Sequence, residues 1–256
     1  MTTKMSEGNF MRSLVRWGLT LSLIGSTILG SWLSLSPQVL ALTPEEIIPI
    51  LRAIPVFTVT DAQGLPLVSA WQDRPRVAEV FISQQAAETL VERLKQEKPD
   101  VGKQAQVRPV SLGQIYQLAR ANAQRENGLK FAFVPVGEQF SKAQTLWNQQ
   151  RKPRDPEQFP GTPLFTARGG QSQGYLTITR NNREVIPFFF EEKPLLELVE
   201  RFKAQNPNQA NTVRIEVVAL ERMIQTLQTQ NDQQLKNIVL VPSQESLLFL
   251  ESLKQQ

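Results

Sequence analysis

Cysteine and histidine are both absent from this sequence of 256 residues. Without cysteine the chain has neither disulfides nor a thiol nucleophile, and without either residue type the usual zinc sites cannot form. The lack of histidine also removes the ordinary general base of an acyl-transfer triad. These absences leave carboxylates as the main groups on which an enzymatic function could depend.

The sequence also lacks the patterns that bind phosphate groups and nucleic acids. No glycine-rich loop stands at a predicted strand-to-helix junction, and Gly169-Gly170 is predicted to lie in a hairpin turn. The 28 lysines and arginines alternate with 24 aspartates and glutamates, which predicts a solvated surface and no concentrated basic footprint. The short basic cluster at 151–154 is interrupted by Pro153 and is interpreted as a linker. We therefore expect no cofactor, no bound metal and no nucleic-acid partner.

Two adjacent carboxylates, Glu191 and Glu192, stand at the start of a predicted helix. Neighbouring positions on a helix face different directions, so these side chains are poorly placed to act as a general acid and base. Acidic residues in the first turn of a helix complement the positive end of its dipole, which is the role we expect for both. No catalytic residue is therefore assigned from the sequence.

Residues 1–41 have the layout of a cleaved secretory signal peptide. Three basic residues precede an uncharged apolar run, a proline follows, and residues that a signal peptidase accepts come last. The segments are Lys4, Arg12 and Arg16, then residues 19–35, then Pro37, then residues 39–41. The alternative is an uncleaved anchor helix, since the run approaches the roughly 20 residues that span a membrane. Serine, threonine and glycine within the run favour cleavage after Ala41.

An internal repeat organises the rest of the chain. The segment 90–95 (Leu-Val-Glu-Arg-Leu-Lys) recurs at 198–203 (Leu-Val-Glu-Arg-Phe-Lys), so the offset in the numbering is 108. The same offset relates 55–58 to 163–166 and 110–112 to 218–220, and an offset of 107 relates 133–135 to 240–242. The repeat predicts two lobes, at 42–150 and 162–256, joined by a linker at 151–161. Two copies of one unit also predict a pseudo-twofold relationship between the lobes.

Each predicted lobe has the element order βββαβαβα, so we expect an internally duplicated α+β fold. Short β-branched and aromatic runs separated by turn residues predict strands at 56–60, 65–71 and 77–82, and Ser83 is the expected cap of the helix that follows. The second lobe repeats this order, with its third strand entering the aromatic run Phe188-Phe189-Phe190.

Apolar side chains on these strands and helices are the candidate functional residues. In the aromatic run, alternation puts Phe189 on the opposite sheet face from its two neighbours, so both faces must be covered or one must stay open for a ligand. If one is open, a cleft between the lobes would suit unfolded polypeptide. The alternative is that both faces belong to the core. The candidate client-binding residues are Phe81, Leu90, Leu94, Phe188, Phe189, Phe190, Leu198 and Phe202.

The mature part of the chain resembles the Tic22 family, which is named for the translocon of the inner chloroplast envelope, and especially its cyanobacterial members. The resemblance depends on five segments together, none of them a catalytic signature. They are residues 42–46 (Leu-Thr-Pro-Glu-Glu), 54–60 (Ile-Pro-Val-Phe-Thr-Val-Thr), 61–64 (Asp-Ala-Gln-Gly), 188–190 (Phe-Phe-Phe) and 241–242 (Val-Pro).

This resemblance implies a two-lobed α+β fold and a soluble chaperone-like factor. Its implied clients are unfolded precursor or outer-membrane proteins, and its implied partners are the periplasmic domains of the outer-membrane barrel insertase. The bacterial type of signal favours the periplasm over plastid import, with a thylakoid-lumen pool and peripheral membrane association as further expectations. A carboxylate-dependent hydrolase in the same compartment is the competing hypothesis. Apolar cleft walls would support the first hypothesis, and converging carboxylates the second.

Overall fold

The computed structural model describes residues 21–24, 41–69 and 76–253. The strands in chain order are β1 (Leu21–Ile24), β2 (Pro55–Thr60), β3 (Val68–Ser69), β4 (Val77–Phe81), β5 (Gln106–Ser111), β6 (Lys130–Val134), β7 (Pro163–Gly169), β8 (Gly174–Arg180), β9 (Arg183–Phe189), β10 (Arg214–Ala219) and β11 (Ile238–Val241). The helices are α1 (Pro44–Arg52), α2 (Gln84–Glu97), α3 (Pro99–Gly102), α4 (Leu112–Ala123), α5 (Gly137–Gln150), α6 (Glu192–Gln205), α7 (Leu220–Thr229) and α8 (Gln244–Leu253), with 3-10 turns at Pro207–Thr212 and Gln233–Asn237.

The strands form two mixed sheets. In the first sheet β2 pairs antiparallel with β4 and β5, β3 pairs with β4, and β6 runs parallel to β4. In the second sheet β7 pairs antiparallel with β9 and β10, and β11 runs parallel to β9. Strand β8 forms hairpins with β7 and β9 and pairs with β1 on its other side. The α+β class predicted from the sequence is therefore confirmed.

A phenylalanine pair occurs across neighbouring antiparallel strands in each of the two sheets. Phe57 is paired with Phe81 in the first sheet, and Phe165 is paired with Phe189 in the second. Both members of the second pair lie 108 positions after those of the first. From residue 55 onward each half also has the element order βββαβαβα, apart from short helical turns.

The core has three parts, separated by the two sheets. The inner core lies between the sheets and is filled by α1, α4 and α7 together with the inward side chains of β4 and β9. The outer core of the first sheet contains α2 residues, and that of the second sheet contains residues of α5 and α6. Side-chain alternation explains this division, because Val80 faces the inner core and Phe81 the outer one.

The last helix of each half packs on the sheet of the other half. Helix α5 belongs to the first half, but its Ala143 is fully buried in the outer core of the second sheet. Helix α8 belongs to the second half, and its Phe249 packs in the outer core of the first sheet against Phe57, with ring centroids 5.3 Å apart. Each predicted lobe, 42–150 and 162–256, is one continuous stretch of sequence. The outer layer of each sheet, however, combines helices from both stretches.

Three predicted segments lie wholly or partly within the described residues. Of the strand expected at 65–71, the described residues include the strand Val68–Ser69, and residues 70–75 lie outside the described part of the chain. The expected linker at 151–161 contains no helix or strand, yet its Phe159 is buried in the outer core of the second sheet. Of the predicted signal at 1–41, the structure describes only β1 and residue 41. Among the described residues, no helix has the length and hydropathy needed to cross a membrane.

Candidate functional site

An apolar groove of about 330 Å³ opens between α4, β6 and α7. We call it the inner groove. Its lining residues are Leu112, Ile115, Tyr116, Ala119, Arg120, Ala123, Phe131, Phe133, Glu221, Ile224 and Gln228. The groove therefore joins the two halves of the chain, because α4 and β6 come from the first half and α7 comes from the second.

The sequence of α4 explains why one end of the groove is open. The helix begins with a capping box, in which the Ser111 hydroxyl accepts a hydrogen bond from the Gln114 amide (3.1 Å) and the Gln114 side chain accepts one from the Ser111 amide (2.9 Å). Leu112 and the next two apolar residues of its stripe are buried and form the floor. One and two turns further along, the stripe continues with Ala119 and Ala123, whose small side chains leave the space unfilled.

Strand β6 forms one wall of the groove. Phe131 and Phe133 are two positions apart, so both rings project to the same face of the strand, and both are half-buried. Within the described residues, β6 pairs only with β4 and is thus an edge strand of the first sheet. The opposite wall is Ile224 of α7, which is also half-buried. Bound molecules can therefore contact apolar surface on two sides.

The polar groups of the groove are hydrogen-bonded. The Tyr116 hydroxyl accepts a hydrogen bond from the Gln228 side-chain amide at 3.2 Å, which connects α4 to α7. The Glu221 carboxylate accepts hydrogen bonds from the Thr162 amide (2.9 Å) and hydroxyl (3.1 Å), so it positions the entry to β7. Gly161 has a φ of 130°, and a side chain there would collide with this carboxylate. Glu221 thus has a structural role.

Two further cavities lie near the inner groove. One, of about 920 Å³, is lined by residues of 119–131, shares Ala119, Ala123 and Phe131 with the groove, and contains a single carboxylate, Glu126. The other, of about 210 Å³, lies in the second half. Its lining residues include Tyr175, Ile186, Phe188, Met223, Leu235 and Ile238. No pair of carboxylates lines any of these three cavities, so the feature expected of a carboxylate-dependent hydrolase is not found in them.

The two adjacent glutamates at the start of α6 interact with different helices. Glu191 precedes α6, and its carboxylate accepts a hydrogen bond from the Gln244 amide at the N-terminus of α8 (3.2 Å). Burial raises the pKa of Glu191, and the nearby carboxylates of Glu138 and Glu245 raise it further. The Glu192 amide donates to the side chain of Gln139. Among the described residues there is also no group of three acidic side chains that could hold a metal ion.

Six of the eight candidate client-binding residues are buried. The exposed fractions are 4% for Phe81, 1% for Phe188, 2% for Phe189, 3% for Phe190, 6% for Leu198 and 1% for Phe202. Phe188 and Phe190 lie in the inner core, and Phe189, Leu198 and Phe202 lie in the outer core of the second sheet. Leu90 and Leu94 are half-buried beside the outer core of the first sheet. A bound polypeptide cannot reach the six buried side chains in this conformation, so the core alternative describes the aromatic run.

The residues of the inner groove were not among those selected from the sequence. Dense apolar runs such as residues 188–190 are buried by the fold, because folding removes apolar surface from water. The informative pattern was the alternation of Phe131 and Phe133 on a strand next to a helix whose stripe ends in alanines. Such a pattern describes an apolar surface that its own chain does not fully cover.

The fold and the groove together define an α+β protein with an open apolar surface and no metal-ligating cluster among its described residues. The family can also be stated. The sequence model of the Tic22-like family matches residues 13–251, and this chain belongs to that family, as the resemblance predicted.

Solved structures agree with this assignment. The chain is 30% identical to Anabaena Tic22, a protein transport protein. The alignment covers 82% of this chain and 97% of that chain, and the TM-score is 0.73. Tic22 from Plasmodium falciparum is 20% identical, with 82% of this chain and 98% of that chain covered and a TM-score of 0.62, which shows a common fold. No curated protein matches the sequence.

Proposed function

We propose that this chain is a chaperone-like transport factor that binds unfolded precursor or outer-membrane polypeptides, without catalysing a reaction. The observation that carries the proposal is the inner groove, whose walls are apolar and whose one carboxylate, Glu221, is held by Thr162. The likeness to Anabaena Tic22, a protein of protein transport, supports it.

The size of the groove fits transient binding. A volume of about 330 Å³ accommodates apolar side chains of an extended chain, not a folded domain. Burying one large apolar side chain stabilises a complex by about 1.5–3 kcal/mol, and the cost of association consumes much of this. A client would therefore be released readily, as a transport factor requires.

The duplicated fold and its pseudo-twofold are part of this proposal. The constant offset in the strand registers supports them, and so do the cavities. Phe131 and Ile238 lie at positions that the repeat makes equivalent, and Phe131 lines the inner groove whereas Ile238 lines the cavity of about 210 Å³. Ile115 and Met223 are equivalent in the same way and also line the two cavities. Two weak contacts on one client bind more tightly than either contact alone, because the second contact is intramolecular.

The proposed location is the periplasm, with the periplasmic domains of the outer-membrane barrel insertase as partners. A thylakoid-lumen pool and peripheral membrane association are further parts of the same proposal. The layout of residues 1–41 supports export of the chain. N-terminal sequencing of protein recovered from the periplasm should begin at Leu42. Recovery of membrane-embedded protein that begins at Met1 would contradict this part.

The groove can be tested with a matched pair of substitutions in α4. Ala119 lines the groove, whereas Ala121 is exposed on the same helix and outside the groove lining. Purified protein should delay the aggregation of an unfolded outer-membrane barrel, followed by light scattering. Ala119→Asp should abolish most of this protection because it places a charge on the apolar surface, and Ala121→Asp should preserve it.

Salt provides a second criterion in the same assay. Contacts between apolar surfaces are not screened, so protection should vary little between low and moderate salt. Protection that disappears at moderate salt would show that surface charges hold the client. Equal protection by the two variants would show that the client binds outside the inner groove.

A further inference from the structure

The outer edge of β8 is occupied by a segment from the extreme N-terminal part of the chain. Strand β1 runs antiparallel to β8, and the four residue pairs are Leu21 with Ile178, Ser22 with Thr177, Leu23 with Leu176 and Ile24 with Tyr175. Tyr175 also pairs with Arg168 of β7, and Ile178 also pairs with Val185 of β9. Because a strand has two edges, β7 and β9 share one edge of β8 and β1 occupies the other.

Strand β8 is also fixed by contacts that do not involve β1. Leu176 and Ile178 are buried in the outer core of the second sheet, and Thr177 is fully buried between them. The hairpins to β7 and β9 fix both ends of the strand. Removal of β1 would therefore leave a preformed row of backbone N–H and C=O groups at 175–178, and such an edge is a template for pairing with another chain.

The occupant lies within the segment that the sequence predicts to be cleaved. Cleavage after Ala41 would remove β1 and open the edge of β8 in the mature protein. The second strand of the first half, β3, has two residues in the described part of the chain and pairs with β4. Among the described residues, β1 therefore covers an edge in the second sheet to which β3 offers only a short counterpart in the first.

We propose that the outer edge of β8 is an acceptor site for an extended apolar segment of a client polypeptide, which adds to the second sheet as an antiparallel strand. Residues 21–24 (Leu-Ser-Leu-Ile) occupy this site in the precursor and keep it closed until they are removed. That the bound segment in the mature protein belongs to a client polypeptide rests on the proposed function. Backbone hydrogen bonds give affinity for any extended chain in this mode, and side chains on alternate positions add selectivity.

The first test asks whether β1 occupies the edge in the full chain. The chain contains no native cysteine, so an introduced pair is the only source of a disulfide. Ser22→Cys with Thr177→Cys should form a disulfide under mild oxidation, because directly opposed residues in an antiparallel pair have Cα atoms about 4.5–5.5 Å apart. Leu23→Cys with Thr177→Cys is the control and should cross-link at least tenfold less. Equal cross-linking of the two pairs would overturn the register and the proposal.

The second test asks whether the edge accepts a chain in trans. Replacing both Ser22 and Leu23 with proline in the full chain removes at least one ladder donor, since successive N–H groups point to opposite edges. A fluorescent peptide of residues 18–26 should bind this variant at least tenfold more tightly than the unaltered chain, and should slow hydrogen exchange at 174–180. The same peptide with prolines at both positions should bind neither protein.

The outcomes distinguish this proposal from the chaperone function. Absence of peptide binding to the variant, with aggregation protection retained, would overturn the acceptor site alone. Register-specific cross-linking and peptide binding without any aggregation protection would support the edge site and contradict the chaperone function. Binding of the peptide to the variant and to the unaltered chain with equal affinity would place the contact elsewhere and overturn the proposal.

Discussion

The outer layers of the two sheets have the same topology but different packing. Helix α6 buries five side chains against the second sheet, whereas the equivalent helix α2 buries two against the first. At positions 108 apart in the sequence, α2 has the smaller residue, with Ala87 compared with Leu195 and Leu94 compared with Phe202. The comparison indicates that the second half supplies more of the stability, and the first half contributes most of the open apolar surface of the inner groove.

The largest expected effect concerns the pair Leu94 and Phe202. Phe202 is fully buried, so Phe202→Ala should reduce the free energy of unfolding by about 3–5 kcal/mol. Leu94 is half-buried, and Leu94→Ala should cost only about 1 kcal/mol. Urea unfolding of both variants measures the difference. Similar losses for the two variants would show that the outer layers are equally important.

The next effect tests whether the last helix of each half packs on the sheet of the other half. Trp147 of α5 packs edge-on against Phe159 at 5.7 Å and donates a hydrogen bond to the Pro156 carbonyl at 2.8 Å. Trp147→Ala should destabilise the protein by about 2–3 kcal/mol. Because α5 covers the second sheet, hydrogen exchange should accelerate in β7 and β10 and stay unchanged in β2. Phe249→Ala on α8 should give the reverse pattern, with faster hydrogen exchange in β2 and no change in β7 and β10. Faster hydrogen exchange in the sheet of the variant's own half would contradict the crossed packing of α5 and α8.

A smaller effect distinguishes two buried threonines at equivalent positions. The Thr58 hydroxyl has no hydrogen-bond partner among the described residues, whereas the Thr166 hydroxyl donates to the Pro187 carbonyl at 3.2 Å. Thr58→Val should therefore leave stability unchanged or raise it by up to about 1 kcal/mol. Thr166→Val should lower it by about 1 kcal/mol. Thermal unfolding of both variants checks the sign, and a loss in both would show that Thr58 is satisfied in solution.

The smallest effect depends on pH and belongs to the second half. Position 191 is a glutamate whose pKa burial raises, whereas the equivalent cap in the first half is the uncharged Ser83. The charges around Glu191 are the carboxylates of Glu138 and Glu245, which raise the pKa, and Lys142, which lowers it. A raised pKa means that the folded protein binds a proton more tightly than the unfolded chain does.

The relevant pH window lies between the raised pKa of Glu191 and the ordinary glutamate value of 4.5. Lowering the pH through this window should therefore stabilise the folded protein relative to the Glu191→Gln variant. Above the window, the charged carboxylate costs stability and the variant should be the more stable protein. Urea unfolding at a series of pH values measures the difference between the two. A difference that does not change with pH would show that Glu191 titrates normally.

The order of elements could be predicted from the sequence, since local patterns determine it. The predicted cap Ser83 accepts a hydrogen bond from the Ala86 amide, and the third predicted strand of the first half ends within one residue of the observed end of β4. The pair Phe57–Phe81 in the register of β2 with β4 and the pair Phe165–Phe189 in that of β7 with β9 are separated by 108 positions, which is also the offset of the sequence repeat.

The crossing of α5 and α8 and the position of the groove could not be predicted in this way. Periodicity identifies the apolar face of a helix such as α5, but does not indicate which sheet that face covers. The hydrophobicity of the aromatic run at 188–190 leads to its burial in the folded chain. The pairing of β1 with β8 joins segments that are far apart in the sequence, and no local pattern contains that information.

The most direct test of the account is site-specific photocross-linking to an unfolded outer-membrane barrel. A photoreactive phenylalanine analogue at position 119 would lie in the inner groove, and the same analogue at position 121 would lie on the exposed face of α4. If the groove holds the client, cross-linking to the client should be strong from position 119 and weak from position 121, at both low and moderate salt. Equal cross-linking from both positions, or none from position 119, would contradict the claim that the groove holds the client.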